Sequence, residues 1–274
     1  MKKQVLKLLN AWTSAYTYRF FQLLMPTYVI TGASSGIGRE LVKQLAARGE
    51  KVFATCRRRE SSSSGVDTIS EVPGDVTVLE GIDVARDDVG VALAESALSG
   101  VTIDVVVHNA GSYDGARDLK GSELIDSQNL ENLTMDSMRR AFEVNTLGPL
   151  RVQQALNSQM APGGKIAIIS TGLASIDDNT SGGKYAYRTS KAGVNMVSKS
   201  LSCDLKEKKI AVVAIAPGFV VTEFVGADLA KWGATPVDQA VRGVLQAVDQ
   251  LTLESTGSFV MVPSSGDAPK PMPW

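Results

Sequence analysis

From Thr27 onward, short runs of β-branched and other apolar residues alternate with longer stretches in which apolar positions return every three or four residues. A continuous apolar run fits a strand buried on both faces, and the longer period fits a helix with one apolar side. Alternation of the two predicts an α/β fold, a mostly parallel sheet with helices on both faces. Seven strands are expected, at about 27–31, 51–56, 76–81, 103–108, 164–170, 210–215 and 258–262. Residues 184–208 read as a helix, because Val194, Val197, Leu201 and Leu205 fall on one face. Polar stretches at 61–65 and 112–121 follow strands, where open α/β sheets place their ligand-contacting loops.

Residues 1–25 follow a different pattern. Val5, Leu8, Leu9, Trp12, Tyr16, Phe20, Leu23 and Leu24 line one helical face, and Lys2, Lys3, Lys7 and Arg19 meet no acid before Glu40. The segment reads as a basic amphipathic extension, and its polar interruptions exclude a membrane span, which needs about 20 apolar residues in succession. Three readings stand: a surface helix packed on the domain, an organelle transit peptide or membrane-surface anchor, and an upstream start with Met25 as the alternative. A cytoplasmic location is expected, or an organelle or membrane surface if this extension acts as an address. No linker divides the remaining 26–274, which are expected to form one domain.

Composition narrows the chemistry. A net charge of −1 carries no nucleic-acid footprint, so the partner is expected to be a small molecule. His108 is the only histidine, and neither Cys56 nor Cys203 has metal-like neighbours, so no metal site is expected.

Residues 31–38 read TGASSGIG between the first strand and a helical pattern. Gly32, Gly36 and Gly38 allow positive φ and close main-chain approach to a pyrophosphate. The following helix offers free N–H groups and its positive dipole end. The run 36–41 misses the general GxGxxG fingerprint at its last position, so the strand-turn-helix context carries this reading. After the second strand, Arg57-Arg58-Arg59 stands where NAD-preferring sites carry an acid for the ribose 2′-hydroxyl. Arginines there suit a 2′-phosphate, which favours NADP(H), with Arg57 nearest the strand. Tyr187 and Lys191, one turn apart in YRTSK, can act together: a charged lysine beside a phenol lowers the phenol's pKa.

Several motifs in order resemble those of the short-chain dehydrogenase/reductase family across nearly all of 27–274. TGASSGIG resembles TGxxxGxG, the HNAG of 108–111 resembles NNAG, Asn145 falls in VNTLG, YRTSK resembles YxxxK, and PGFVVTEF begins at Pro217. The stretch ASIDDNTSGGKYAYRTSKAGVN and the final Pro273-Trp274 further resemble the branch of C-factor and the sniffer-type carbonyl reductases. The resemblance implies a single-domain Rossmann-like doubly wound fold and an NADP-dependent oxidoreductase that reduces a ketone, aldehyde or quinone. In it Tyr187 is the general acid/base, Lys191 tunes Tyr187 and holds the nicotinamide ribose, and Asn145 interrupts a helix within a proton relay. Cofactor contacts are implied for Gly32, Ser34, Ser35, Gly36, Ile37, Gly38, Arg57, Asp83, Val84, Asn109, Ala110, Gly111, Tyr187, Lys191, Pro217, Gly218, Val220 and Thr222, and Asn109 is also expected to tie neighbouring strands.

One departure from the family touches the chemistry. Where it has Ser-Ser, this chain has Ser170-Thr171, so Thr171 is expected as the catalytic hydroxyl, with Ser170 as second candidate. His108 replaces the first Asn of NNAG and is expected as a buried neutral imidazole. Residues 219–234, with Phe219, Phe224, Leu229 and Trp232, stand where the family places its substrate lid. A homodimer or homotetramer is implied through helices near 134–159 and 184–206. The Thr171 change leaves an alternative open: a catalytically silent NADP-binding sensor, or a C-factor-like signalling protein.

Overall fold

Strands β1 (Thr27–Ile30), β2 (Lys51–Cys56), β3 (Val76–Glu80), β4 (Ile103–His108), β5 (Met160–Ile169), β6 (Ala211–Ala216), β7 (Ser258–Met261) and β8 (Lys270–Pro271) form one sheet in the order β3-β2-β1-β4-β5-β6-β7-β8. This is a computed structural model, and it describes residues 25–57, 69–113, 129–222 and 233–274. The amphipathic extension up to residue 24, Arg58, Arg59, the serine-rich stretch 61–65, most of the loop 112–121, and Phe224, Leu229 and Trp232 lie outside the described residues. Every neighbouring pair is parallel except β7 and β8.

The helices are α1 (Gly36–Ala47), α2 (Val89–Ala94), α3 (Met135–Phe142), α4 (Gly148–Leu156), α5 (Tyr185–Asp204) and α6 (Val237–Gln250). Side chains alternate along each strand, so successive residues feed opposite faces. Ile30, Val107, Ala167 and Ile215 pack under Leu41, Leu45, Val244 and Val248 of α1 and α6. Val29, Val106, Ile166 and Val212 pack under Leu93, Val152, Leu156 and Val194 of α2, α4 and α5. Each such side chain contributes about 1.5–3 kcal/mol by leaving water, which is why the apolar runs recur on both faces. No helix among the described residues is long and apolar enough to cross a membrane.

The long helix ends at Asp204, short of the expected 208, and three further departures from the sequence expectation have local reasons. β5 begins at Met160, four residues early, because Met160 pairs with Ile103 before the register slips past Gly163, whose φ is +84°. An eighth strand appears at Lys270–Pro271, where Pro271 occupies a sheet edge, the position a residue without an N–H tolerates. The long helix starts at Tyr185 because Gly182, Gly183 and Lys184 all hold positive φ, which no α-helix accepts.

The chain leaves β1 for β2 and β3 on one side, then crosses to β4 on the other. Strand order reverses between β1 and β4, and in such sheets the crevice beyond the carboxyl ends at this reversal is where ligands bind.

Candidate active site

Thr31, Gly32 and the turn after them leave β1 at the edge of this crevice, and Asn109 closes it from β4. Asn109 Nδ2 donates to the carbonyls of Thr31 and Gly32, both at 3.0 Å. The Thr31 hydroxyl accepts from the N–H groups of Asn109 (3.0 Å) and Ala110 (3.1 Å). Asn109 thus ties β1 to β4 as expected; the equal part of the buried Thr31 was not read from the sequence. A Cβ on Gly32, at φ +65°, would lie 2.7 Å from Ala110 Cα. Gly36, at φ +51°, opens α1 after an extended Ser35. Gly38 has no positive φ; it is needed because a Cβ there would strike the Gly32 carbonyl. Ser34, Ser35 and Ile37 remain at least partly open on this turn.

Arg57 is exposed directly after β2, with no acid beside it in the chain. After β3, the Asp83 carboxylate accepts from Ala85 N at 3.1 Å, which fixes that turn. The Val84 side chain is buried against α4, where a Cβ on Gly148 would come within 2.9 Å of it. Only the Val84 backbone is therefore left to meet a ligand. After β6, Pro217 and Val220 are buried, Gly218 has φ +84°, and Val220 bridges to Thr235. Thr222 lines a cleft with Gly36, Arg39 and Val237, which puts it beside the first turn of α1.

The chemical end is built on α5 and the end of β5. Tyr187 and Lys191 stand one turn apart on α5, and the Lys191 ammonium, 4% exposed, donates to the Ile169 carbonyl at 2.8 Å. Burial lowers Lys191 to about 8. Burial raises the Tyr187 phenol above its ordinary value, the neighbouring Tyr113 adds to this, and a hydrogen bond with Thr171 opposes it. The expected depression of the phenol by Lys191 is therefore not what this geometry produces. Lys191 is held by a main-chain carbonyl, and burial dominates the phenol.

Ser170 and Thr171 separate cleanly. Thr171 reaches Tyr187. Ser170 is buried and donates to Asn195 Oδ1 at 2.6 Å, inside the protein. Ser170 as second candidate is corrected: its hydroxyl is committed to Asn195, about two turns further along α5 than Tyr187.

Asn145 lies in a π-turn, Glu143–Leu147, between α3 and α4. Such wide turns occur mostly at functional sites. Its amide donates to the Ser112 carbonyl (2.7 Å) and Ser190 Oγ (2.9 Å), and its oxygen accepts from Ser112 N (2.8 Å). Ser190 in turn donates to the Tyr187 carbonyl at 3.0 Å. A Cβ on Gly111 would sit 3.4 Å from Asn145 Oδ1 and 3.5 Å from Lys191 Nζ, so this glycine leaves room where the two converge. Tyr113 stacks on Tyr187 with ring centroids 4.7 Å apart, a contact with no sequence signal. His108 is buried, with Nε2 3.1 Å from Gln153 Oε1, and burial lowers its pKa to about 4. It is the buried neutral imidazole expected, with Gln153 of α4 as its ring partner.

The family model described as short chain dehydrogenase matches residues 26–231. A 1-hydroxy-2-glutathionyl-2-methyl-3-butene dehydrogenase of Rhodococcus sp. (strain AD45) is 33% identical over 236 residues, covering 86% of this chain and 96% of its own. The NADPH-bound carbonyl reductase from chicken fatty liver superposes with a TM-score of 0.73 at 27% identity, over 91% of this chain and 99% of that one. The carbonyl reductase Sniffer of D. melanogaster gives 0.74 at 26% identity, over 91% and 100%.

Proposed function

The chain belongs to the short-chain dehydrogenases, and on that premise we propose that it reduces a carbonyl to an alcohol with NADPH, Tyr187 protonating the oxygen. The observation that carries this reading is the meeting of Tyr187, Thr171, Lys191 and Asn145 at the carboxyl ends of β4 and β5, beside the glycine turn after β1. The residues fit the cofactor. Gly32 and Gly36 hold the turn that suits a pyrophosphate, α1 presents its N-terminus to it, and Gly111 keeps side-chain atoms out of the space next to Lys191. Exposed Arg57 after β2, in a place where an acid would favour NAD, supports the phosphorylated cofactor, as does the NADPH held by the chicken carbonyl reductase.

When bound, the nicotinamide supplies hydride to the carbonyl carbon. Tyr187 gives its proton to the carbonyl oxygen, and a phenol with a raised pKa keeps that proton until the oxygen becomes basic. The Thr171 hydroxyl donates a second hydrogen bond to the developing alkoxide, the charge on which a fixed donor acts most. Lys191, lowered to about 8, can lose and regain a proton near neutrality, so it suits resupply of Tyr187. Asn145 holds the Ser112 backbone and Ser190, and so fixes the loop and the helix turn that flank the phenol. The Thr171–Tyr187 hydrogen bond favours a working enzyme over the silent NADP-binding alternative. We also propose a homo-oligomer, because exposed Met135, Phe142, Tyr185 and Met196 all lie on α3 and α5.

The test is NADPH oxidation with a panel of aromatic aldehydes and quinones, comparing the chain with Tyr187→Phe. Removing the general acid is expected to cost about 100-fold or more in kcat. NADPH binding with no turnover of any carbonyl would replace this reading with the silent binder.

A further inference from the structure

The loop that begins with Thr171 is held from two sides. From α5, Arg188, the neighbour of Tyr187, donates to the Leu173 carbonyl at 3.2 Å and to Ser181 Oγ at 2.8 Å. From the other side come residues 270–274. β8 pairs with β7, and Met272 N donates to the Phe259 carbonyl at 2.9 Å. The Trp274 ring then stacks on the buried Phe259 with centroids 5.4 Å apart, and Lys199 Nζ lies 5.9 Å over the same ring. So anchored, the main-chain oxygen of Trp274 accepts three hydrogen bonds from the loop: Ile176 N at 2.9 Å, Asp177 N at 3.1 Å and Ser175 Oγ at 3.2 Å. The methyl groups of Met261 and Met272 close on Gly172, at 3.2 and 3.6 Å from where its Cβ would be.

We propose that residues 270–274 are a strap for the carbonyl-oxygen site, and that Trp274 is a positioning residue that keeps the Thr171 hydroxyl in register with Tyr187. Thr171 has only one residue, Gly172, between it and Leu173, whose carbonyl Arg188 holds, and the strap fixes the next turn. A short turn pinned at Leu173 and again at 175–177 cannot slide along β5 without breaking both sets of bonds. The ring does not touch the reacting atoms. It acts through Phe259 and the loop, and this role rests on the carbonyl-reductase reading above.

The experiment follows amide exchange of Ile176 and Asp177, NADPH affinity and carbonyl kinetics in the full chain, Trp274→Ala and Trp274→Phe. Amides bonded to the strap exchange slowly while it is docked. Trp274→Ala is expected to speed exchange at these two amides and to lower kcat by roughly 10- to 100-fold, as small misplacements near a reacting centre do. NADPH affinity is expected to stay unchanged, because the glycine turn lies across the crevice. Trp274→Phe keeps an aromatic ring on Phe259 and is expected to restore both exchange protection and kcat. Unchanged exchange in Trp274→Ala overturns the strap. A parallel fall in NADPH affinity, thermal midpoint and kcat overturns its positioning role, since that is general loss of support. If the full chain reduces no carbonyl, the enzymatic reading fails with the kinetic role, and the exchange data still decide whether the strap holds the loop.

Discussion

Thr171 and Ser170 are a single bond apart in the chain and do different work. Thr171→Val keeps the shape of the side chain and removes the hydroxyl that meets Tyr187, so kcat is expected to fall by about 10²–10³, the usual loss for one donor at a developing oxyanion. Thr171→Ser restores the family's residue and is expected to retain activity. Ser170→Ala is expected to leave kcat alone and to cost about 1–3 kcal/mol in denaturant unfolding, because buried Asn195 Oδ1 loses its donor. His108 makes a second test at this scale. Its pKa falls from 6.5 to about 4 in the folded chain, so between those values the unfolded chain binds a proton that the folded one refuses. Stability from this group is full above pH 6.5 and is lost as the pH falls toward 4, by roughly 3 kcal/mol in total. Since the chain has one histidine, a single imidazole resonance is expected to stay unshifted from pH 7.5 to about 5.5, and His108→Asn is expected to lessen the acid loss.

At the scale of elements, the junction of β1 and β4 is where sequence and site meet most tightly. Gly32→Ala puts a methyl 2.7 Å from Ala110 Cα at a φ of +65°, and the backbone there cannot give without breaking the Asn109 clamp. A loss of about 1–3 kcal/mol and a clear fall in NADPH affinity are expected, to be read by thermal unfolding and by cofactor titration. This junction was legible because glycines mark backbone demands directly. Strand β4 was legible to the residue, as its apolar run is bounded by a glycine and then a valine-threonine step before it and by Asn109 after it. Thr31 was not: a buried threonine at a strand end looks like any β-branched residue until its two N–H partners are in place. The early start of β5 was hidden because Pro162-Gly163-Gly164 reads as a turn, whereas pairing with Ile103 makes it a bulged strand. Tyr187 and Lys191 could be paired by spacing, but the carbonyl that holds Lys191 comes from β5, twenty-two residues away, and the ring that covers Tyr187 comes from Tyr113. Long-range partners of this kind carry no local pattern.

At the scale of the whole molecule, the site draws on stability that the two-faced core supplies. Lys191 is buried and charged at neutral pH against a single carbonyl, and its pKa falls from 10.5 to about 8. Keeping that charge costs the folded chain roughly 3 kcal/mol below pH 8, with the hydrogen bond to Ile169 already in place. The sign of the pH effect follows. Between pH 8 and 10.5 the unfolded chain still holds the proton and the folded chain has lost it, so this group's penalty disappears as the pH rises through that window. Lys191→Met removes the charge and keeps most of the volume. It is expected to abolish turnover while raising stability at pH 7 by about 1–2 kcal/mol, the pattern of a residue retained for chemistry at the expense of the fold. Denaturant unfolding of both proteins at pH 7 and pH 10 checks this, with the gap between them expected to shrink at the higher pH. If Lys191→Met is instead less stable than the unaltered chain at pH 7, Lys191 is a structural cation, and its place beside Tyr187 is a consequence of packing.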